Sequence, residues 1–120
     1  MMYMSYRKGR SFEYYVREKF AKKGFLSVRA SSSKGTPSYQ PPIDIVAIRD
    51  GKVVLIECKK NKKSITKKLI SLNTELGKKY GAESIIVYKD NGRVNALLLY
   101  TPYKIPLSRK VFGSLLLHKK

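Results

Sequence analysis

The chain has 120 residues, 42% of them apolar, and sets 26 lysines and arginines against eight acids for a formal charge of +18. That length suits one compact domain over residues 1–120 and the apolar share builds a core, which excludes a wholly disordered chain. Self-repulsion on this scale points to a polyanionic partner, and no run approaches the roughly 18 consecutive apolar residues that would place that partner in a membrane.

The opening MMYMSYRKGR does not follow the order of a secretory signal, in which basic residues precede an apolar region of roughly 7 to 15 residues. An intracellular, cytoplasmic location is therefore expected. Cys58 and His118 are single examples of their kinds, so neither an internal disulfide nor a structural zinc site is expected. Oxygen ligands would hold any metal, which favours Mg2+ with Mn2+ as a substitute. No membrane and no small-molecule organic cofactor are expected.

In chain order, SFEYYVREKFAKKGF predicts a helix with Phe12, Tyr15, Val16 and Phe20 on its core-facing stripe and Gly24 as its stop. Residues 25–29 read as a short strand. The stretch ASSSKGTPSYQPP is a polar loop rich in serine and proline. Residues 43–48 and 53–58 are strands joined by a tight Asp50-Gly51 turn. Their faces are apolar on both sides: Ile45, Ala47, Val54 and Ile56 on one, Val46, Ile48, Val53 and Leu55 on the other. This pattern predicts central strands covered twice, by the chain itself or partly by a partner subunit.

Ser64 is a candidate cap for a helix with Ile65, Leu69, Leu72, Leu76 and Tyr80 on one stripe, ending near Gly81. A second hairpin follows, with strands at 84–88 and 94–100. The tail holds an apolar group, Val111, Phe112 and Leu115 to Leu117, that either seals the core or joins two subunits. The order predicts an α/β fold, a small central mixed β-sheet flanked by helices.

The first hairpin carries the chemistry. A two-residue Asp50-Gly51 turn pairs Arg49 with Lys52, Val46 with Leu55, and Asp44 with Glu57. The last pair would stand with Cβ atoms roughly 4.5–5.5 Å apart on one face, and Lys59, two residues beyond Glu57, shares it. Opposed carboxylates repel unless compensated. A divalent cation between them, with the lysine beside a water, suits phosphodiester hydrolysis. The bland reading makes Asp44 a strand-edge acid and pairs Glu57 with Lys59 or Lys60. Cys58 points away from this face as a small buried hydrophobe.

The spacing D44-x12-E57-x-K59, with Pro42-Ile43 before the aspartate, resembles the PD-(D/E)XK nuclease motif. Taken with RKGRSFEYYV and GFLSVRASSS ahead of it, the stretch 7–60 resembles the archaeal Holliday junction resolvases and their viral relatives. The resemblance implies a restriction-endonuclease-like fold, a homodimer and a four-way DNA junction as substrate, in the host cytoplasm for a viral member. It also implies that Glu13, Asp44 and Glu57 bind the metal, that Lys59 is catalytic, and that Ser33 of the RASSS loop, or Ser31 or Ser32, approaches the scissile phosphate. By position alone Glu13 reads equally as half of a surface ion pair with Arg17. The glutamine often found on the family's following helix has no clear counterpart between Ser64 and Gly81.

Basic residues form three groups that would grip nucleic acid: Arg7, Lys8 and Arg10; Lys60, Lys62 and Lys63; and Lys67, Lys68, Lys78 and Lys79. Lysines suit backbone attraction more than bidentate base reading, so shape recognition is expected. Arg29 and Lys34 flank the serine loop and would clamp a strand. Of Tyr3, Tyr6, Tyr14, Tyr15 and Tyr39, the last is the best candidate for a base contact, and Tyr15 is assigned to the core. Two competing functions are another PD-(D/E)XK nuclease acting on duplex, nicked or flap DNA, and a non-enzymatic architectural DNA-binding protein.

Overall fold

The computed structural model describes residues 3–30 and 43–118, without the side chains of 3–10. The elements are α1 (Tyr3–Ala21), β1 (Leu26–Arg29), β2 (Ile45–Arg49), β3 (Lys52–Lys59), α2 (Lys67–Tyr80), β4 (Glu83–Asp90), β5 (Arg93–Tyr100), α3 (Arg109–Phe112) and β6 (Leu116–His118). Among the described residues six strands form one sheet in the order β1-β2-β3-β4-β5-β6. Pairing is antiparallel except between β3 and β4 and between β5 and β6, which are parallel. This is the expected mixed sheet flanked by helices.

Both hairpins close through two residues of positive φ, Asp50 and Gly51 in the first and Asn91 and Gly92 in the second. That is the turn whose twist matches flanking strands. The first sets Arg49 opposite Lys52 and Ile45 opposite Ile56, the predicted register.

Helix α1 starts well before the expected Ser11. It buries Phe12, Val16 and Phe20 on one face of the sheet, against Ile45, Ala47, Val54 and Ile56. Phe20 meets Phe25 and Phe112 edge-on, with centroids 5.1 and 5.7 Å apart. Tyr15, expected in this core, is instead 48% exposed. It lies about 100° round the helix from Val16, on the side away from Phe20. The tail divides by face: Val111, Phe112 and Leu116 seal the core, while Leu115 and Leu117 point outward.

Helix α2 lies on the opposite face, where Ile65, Leu69 and Ile70 pack with Ile86, Tyr88 and Leu99. Two expectations about it are corrected. Ser64 does not cap it: Asn61 Oδ1 accepts from Ser64 N at 3.1 Å and closes a short 3-10 turn. Thr66 is the cap, its Oγ1 accepting from Leu69 N. The buried face also departs from the predicted stripe: Ile65 and Leu69 pack as expected, but Leu72 and Tyr80 are exposed and Asn73, Thr74 and Gly77 are buried. The polar pair is satisfied within the helix, Asn73 donating to Leu69 O and Thr74 to Ile70 O. A Cβ at Gly77 would stand 2.9 Å from Ala82 O and from Ser84 Cβ, so glycine here permits the close approach.

Because α2 covers β4 and β5, the chain itself covers the second face of the first hairpin only in part, burying Leu55. The α1 side is fully buried, but on the other side Ile48 is 37% exposed and its β1 neighbours Leu26 and Val28 are 64% and 50% exposed. Among the described residues no helix is long and apolar enough to cross a membrane.

Candidate active site

The site forms at the end of β3 that points toward α2. Asp44 lies one residue before β2, where its carbonyl accepts from Ala30 N at 2.8 Å and its Oδ2 accepts from Cys58 N at 2.8 Å. The hairpin's alternation therefore brings Asp44 beside Glu57, as the pairing arithmetic predicts, close enough for the Asp44 charge to act on the Glu57 carboxyl. Lys59 Nζ stands 3.6 Å from Glu57 Oε2.

Little water reaches this pair: the Glu57 side chain is 11% exposed and that of Lys59 32%. Burial, then the negative charge of Asp44, push the Glu57 carboxyl up to about 7. Asp44 is also raised, chiefly by burial, against the opposing pull of the Cys58 N–H. Two acids, Glu57 buried and Asp44 half-buried, that resist simultaneous ionisation form a cation-demanding pair. Burial also pushes the Cys58 thiol well up, in keeping with a packing role.

Glu13 follows Phe12 by about 100° of helix turn and so lies at the margin of the buried stripe. It ion-pairs with Arg29, whose Nε donates to Glu13 Oε1 at 2.7 Å, in place of the surface pairing with Arg17. Glu13 is close enough for its charge to raise Asp44. Even so, among the described residues no three His, Cys, Asp or Glu side chains stand at metal-holding spacing. The assembled set is Asp44, Glu57 and Lys59, with Glu13 to one side.

Next to it lies a cleft of about 280 Å³ lined by Phe12, Glu13, Cys58, Lys59, Lys60, Asn61 and Ser64. Sequence reasoning missed Asn61 and Ser64 as lining residues, and missed Lys89, whose Nζ sits 5.1 Å over the Phe12 ring. Lys89 comes near because β4 runs parallel to β3, with Tyr88 opposite Lys59. No local motif marks that pairing.

The candidate nucleic-acid contacts separate by place. Lys60 borders the cleft, Lys62 and Lys63 are in the adjoining 3-10 turn, and Lys62 reaches Asp90 at 4.0 Å. Lys67 and Lys68 open α2 at the site end of the sheet. Lys78 and Lys79 fall roughly 15 Å further along the helix, at the other end. Arg7, Lys8 and Arg10 lie on α1, their side chains outside the described set, and Ser31, Ser32, Ser33, Lys34 and Tyr39 fall outside the described residues.

A mixed sheet whose central hairpin holds this acid pair and lysine at one end defines the class of PD-(D/E)XK nucleases. Comparison with known proteins narrows the class. The family model "Archaeal holliday junction resolvase (hjc)" matches residues 4–112. The crossover junction endodeoxyribonuclease Hjc of Methanocaldococcus jannaschii is 33% identical over 102 residues, covering 80% of this chain and 71% of that protein. The solved structure of Hjc from Archaeoglobus fulgidus, a Holliday junction resolvase, shares the fold with a TM-score of 0.60 at 21% identity, over 75% of this chain and 76% of that one. The chain belongs to the archaeal Holliday junction resolvase family of structure-selective endonucleases.

Proposed function

We propose that residues 1–120 form one nuclease domain that resolves four-way DNA junctions by paired, Mg2+-dependent cuts. The observation that carries the reading is the half-buried Asp44 beside the buried Glu57, with Lys59 Nζ 3.6 Å from Glu57. Its all-oxygen donor set and its mutual repulsion fit a hard divalent cation, with Mn2+ as a substitute. Asp44 and Glu57 would hold the ion, joined by Glu13. When bound, the ion supplies Lewis-acid charge to the phosphate and lowers the pKa of water.

The chain's own residues do the rest. Cys58 N–H fixes the orientation of Asp44, and Glu57 orients the Lys59 ammonium. Lys59 aligns a water for attack on phosphorus and stabilises the negative charge that develops as the P–O bond to the leaving strand breaks. No covalent enzyme intermediate is required. Lys60, Lys62, Lys63, Lys67 and Lys68 continue positive charge from the site along the site end of the sheet, and Arg7, Lys8, Arg10, Lys34 and Tyr39 are assigned to the DNA on their sequence positions alone. Ser33 serves the scissile phosphate.

A junction offers symmetry-related strands, and a twofold homodimer presents two sites for two cuts. The uncharged patch of Leu26, Val28 and Ile48 supports such pairing, because on a chain of charge +18 it is surface where two copies meet without apposing like charges. The testing experiment incubates the protein with a labelled immobile four-way junction, a duplex and a flap, with and without Mg2+. Symmetric, Mg2+-dependent cuts in the junction are expected. Equal cutting of duplex would replace the reading with a general nuclease, and junction binding without cleavage under every metal condition would replace it with an architectural protein.

A further inference from the structure

We propose that Arg29 is a positioning residue that withholds Glu13 from the Asp44–Glu57 pair until a DNA phosphate engages its guanidinium, so that substrate and metal bind cooperatively. This rests on the metal-dependent reading of the site above.

The Arg29–Glu13 contact is a short, charge-assisted bond of 2.7 Å, with the two side chains only 22% and 19% exposed. Such a bond is not surrendered to water without replacement, because each partner would be left largely desolvated. Arg29 is further steadied over the Tyr14 ring, 5.6 Å from its centroid. Tyr14, a candidate for stacking on bases, thus presents its ring to a guanidinium.

Arg29 is also in the right place to exchange partners. It ends β1 directly opposite Ile45, the residue after Asp44. A phosphate arriving at Asp44, Glu57 and Lys59 therefore arrives one backbone pair away from the Arg29–Ile45 pair, beside a cleft that Glu13 itself lines. Phosphate offers the planar fork two oxygens where Glu13 Oε1 takes the Nε hydrogen bond. Once the fork turns to phosphate, the Glu13 carboxylate regains a charge in need of a cation, beside an acid pair already in need of one. This accounts for Glu13 lining the cleft beside the acid pair while, among the described residues, no three-acid cluster forms. Coupling of this kind is reciprocal: what substrate does for metal affinity, metal does for substrate affinity.

The test is a double-mutant cycle on Mn2+ affinity in the DNA-free protein, read from the paramagnetic resonance of free Mn2+. Arg29→Met is expected to tighten Mn2+ binding by at least about fivefold, and that gain is expected to vanish in the Glu13→Gln background. A gain that persists with Glu13→Gln is a general effect of removing a positive charge and overturns the proposal. Unchanged or weaker binding in Arg29→Met overturns it as well. Arg29→Lys, which keeps the charge but lacks the fork, is expected to give a smaller gain and serves in its place if Arg29→Met does not fold. Asp44→Asn in the same assay separates the two levels. If it leaves Mn2+ affinity intact, the metal-site reading itself fails; if it abolishes binding while the cycle is additive, only the role of Arg29 fails.

Discussion

Asp44 is locked to the strand that bears its partner: its Oδ2 accepts the Cys58 backbone N–H at 2.8 Å, while the Cys58 side chain packs partly against the core. One backbone donor, fixed by the β3 ladder, thereby sets the distance between two carboxylates that repel. Asp44→Asn keeps an acceptor for that N–H and removes the charge. We expect folding to be retained, with the melting temperature lowered by no more than a few degrees, and cleavage to fall by at least about a hundredfold. Calorimetric melting and single-turnover cleavage check the two halves separately.

The Glu57 carboxyl, raised from an ordinary 4.5 to about 7, makes stability depend on pH in a stated direction. The folded protein holds a proton that the unfolded chain releases, so this contribution is fully present below 4.5 and is lost as pH rises through about 7. Metal-free stability should fall across that window by up to about 3 kcal/mol, and Glu57→Gln should flatten the fall. Mg2+ should restore stability at the alkaline end by binding the deprotonated pair. Urea denaturation at about pH 5 and about pH 8, with and without the ion, measures this. Stability that climbs across the window in the metal-free protein would contradict it.

Glu83 is fully buried at the opposite end of the sheet and accepts hydrogen bonds from Thr101 Oγ1, Leu107 N, and both N and Oγ of Ser108. It pins the tail that carries α3 and β6. Glu83→Ala strands these buried donors and should cost on the order of 3 kcal/mol, against about 1 kcal/mol for Ser108→Ala. Chemical denaturation compares them. Cleavage per folded molecule should be unchanged, because neither residue borders the site.

Gly77→Ala should destabilise the protein although alanine is the better helix former by about 1 kcal/mol. The added Cβ would meet Ala82 O and Ser84 Cβ at 2.9 Å and Tyr100 Cδ2 at 3.0 Å. Overpacking against backbone should win by about 1–2 kcal/mol, read from the urea midpoint.

Val28, 50% exposed between Leu26 and the β2 edge of the apolar patch, tests the pairing surface. Val28→Asp should shift sedimentation from dimer to monomer while leaving the circular dichroism spectrum intact. A variant that stays dimeric would move the interface elsewhere.

The hairpin and its acids were legible because both depend on local rules. Asp50-Gly51 fixes the turn, and period-two alternation then carries Asp44 and Glu57 to one face. What the sequence hid depends on long-range pairing. The leucines of α2 suggested its buried face, but a sheet contact built around Gly77 and the Ser84 hydroxyl turned Asn73 and Thr74 inward and left Leu72 at the surface. Thr66 takes the place of Ser64 as cap because Asn61 Oδ1 holds both the Ser64 N–H and its hydroxyl in the preceding 3-10 turn. Likewise, the Arg29 partner of Glu13 is 16 positions away and joins α1 to β1, beyond the reach of helix spacing rules.

The most direct measurement is single-turnover cleavage of a labelled four-way junction by Glu57→Gln, with binding followed on the same substrate by electrophoretic mobility. Junction binding is expected to stay within a few-fold of the unaltered protein while cleavage falls by at least about a hundredfold. Full cleavage by Glu57→Gln would contradict the assignment of the Asp44–Glu57 pair as the site of the reaction.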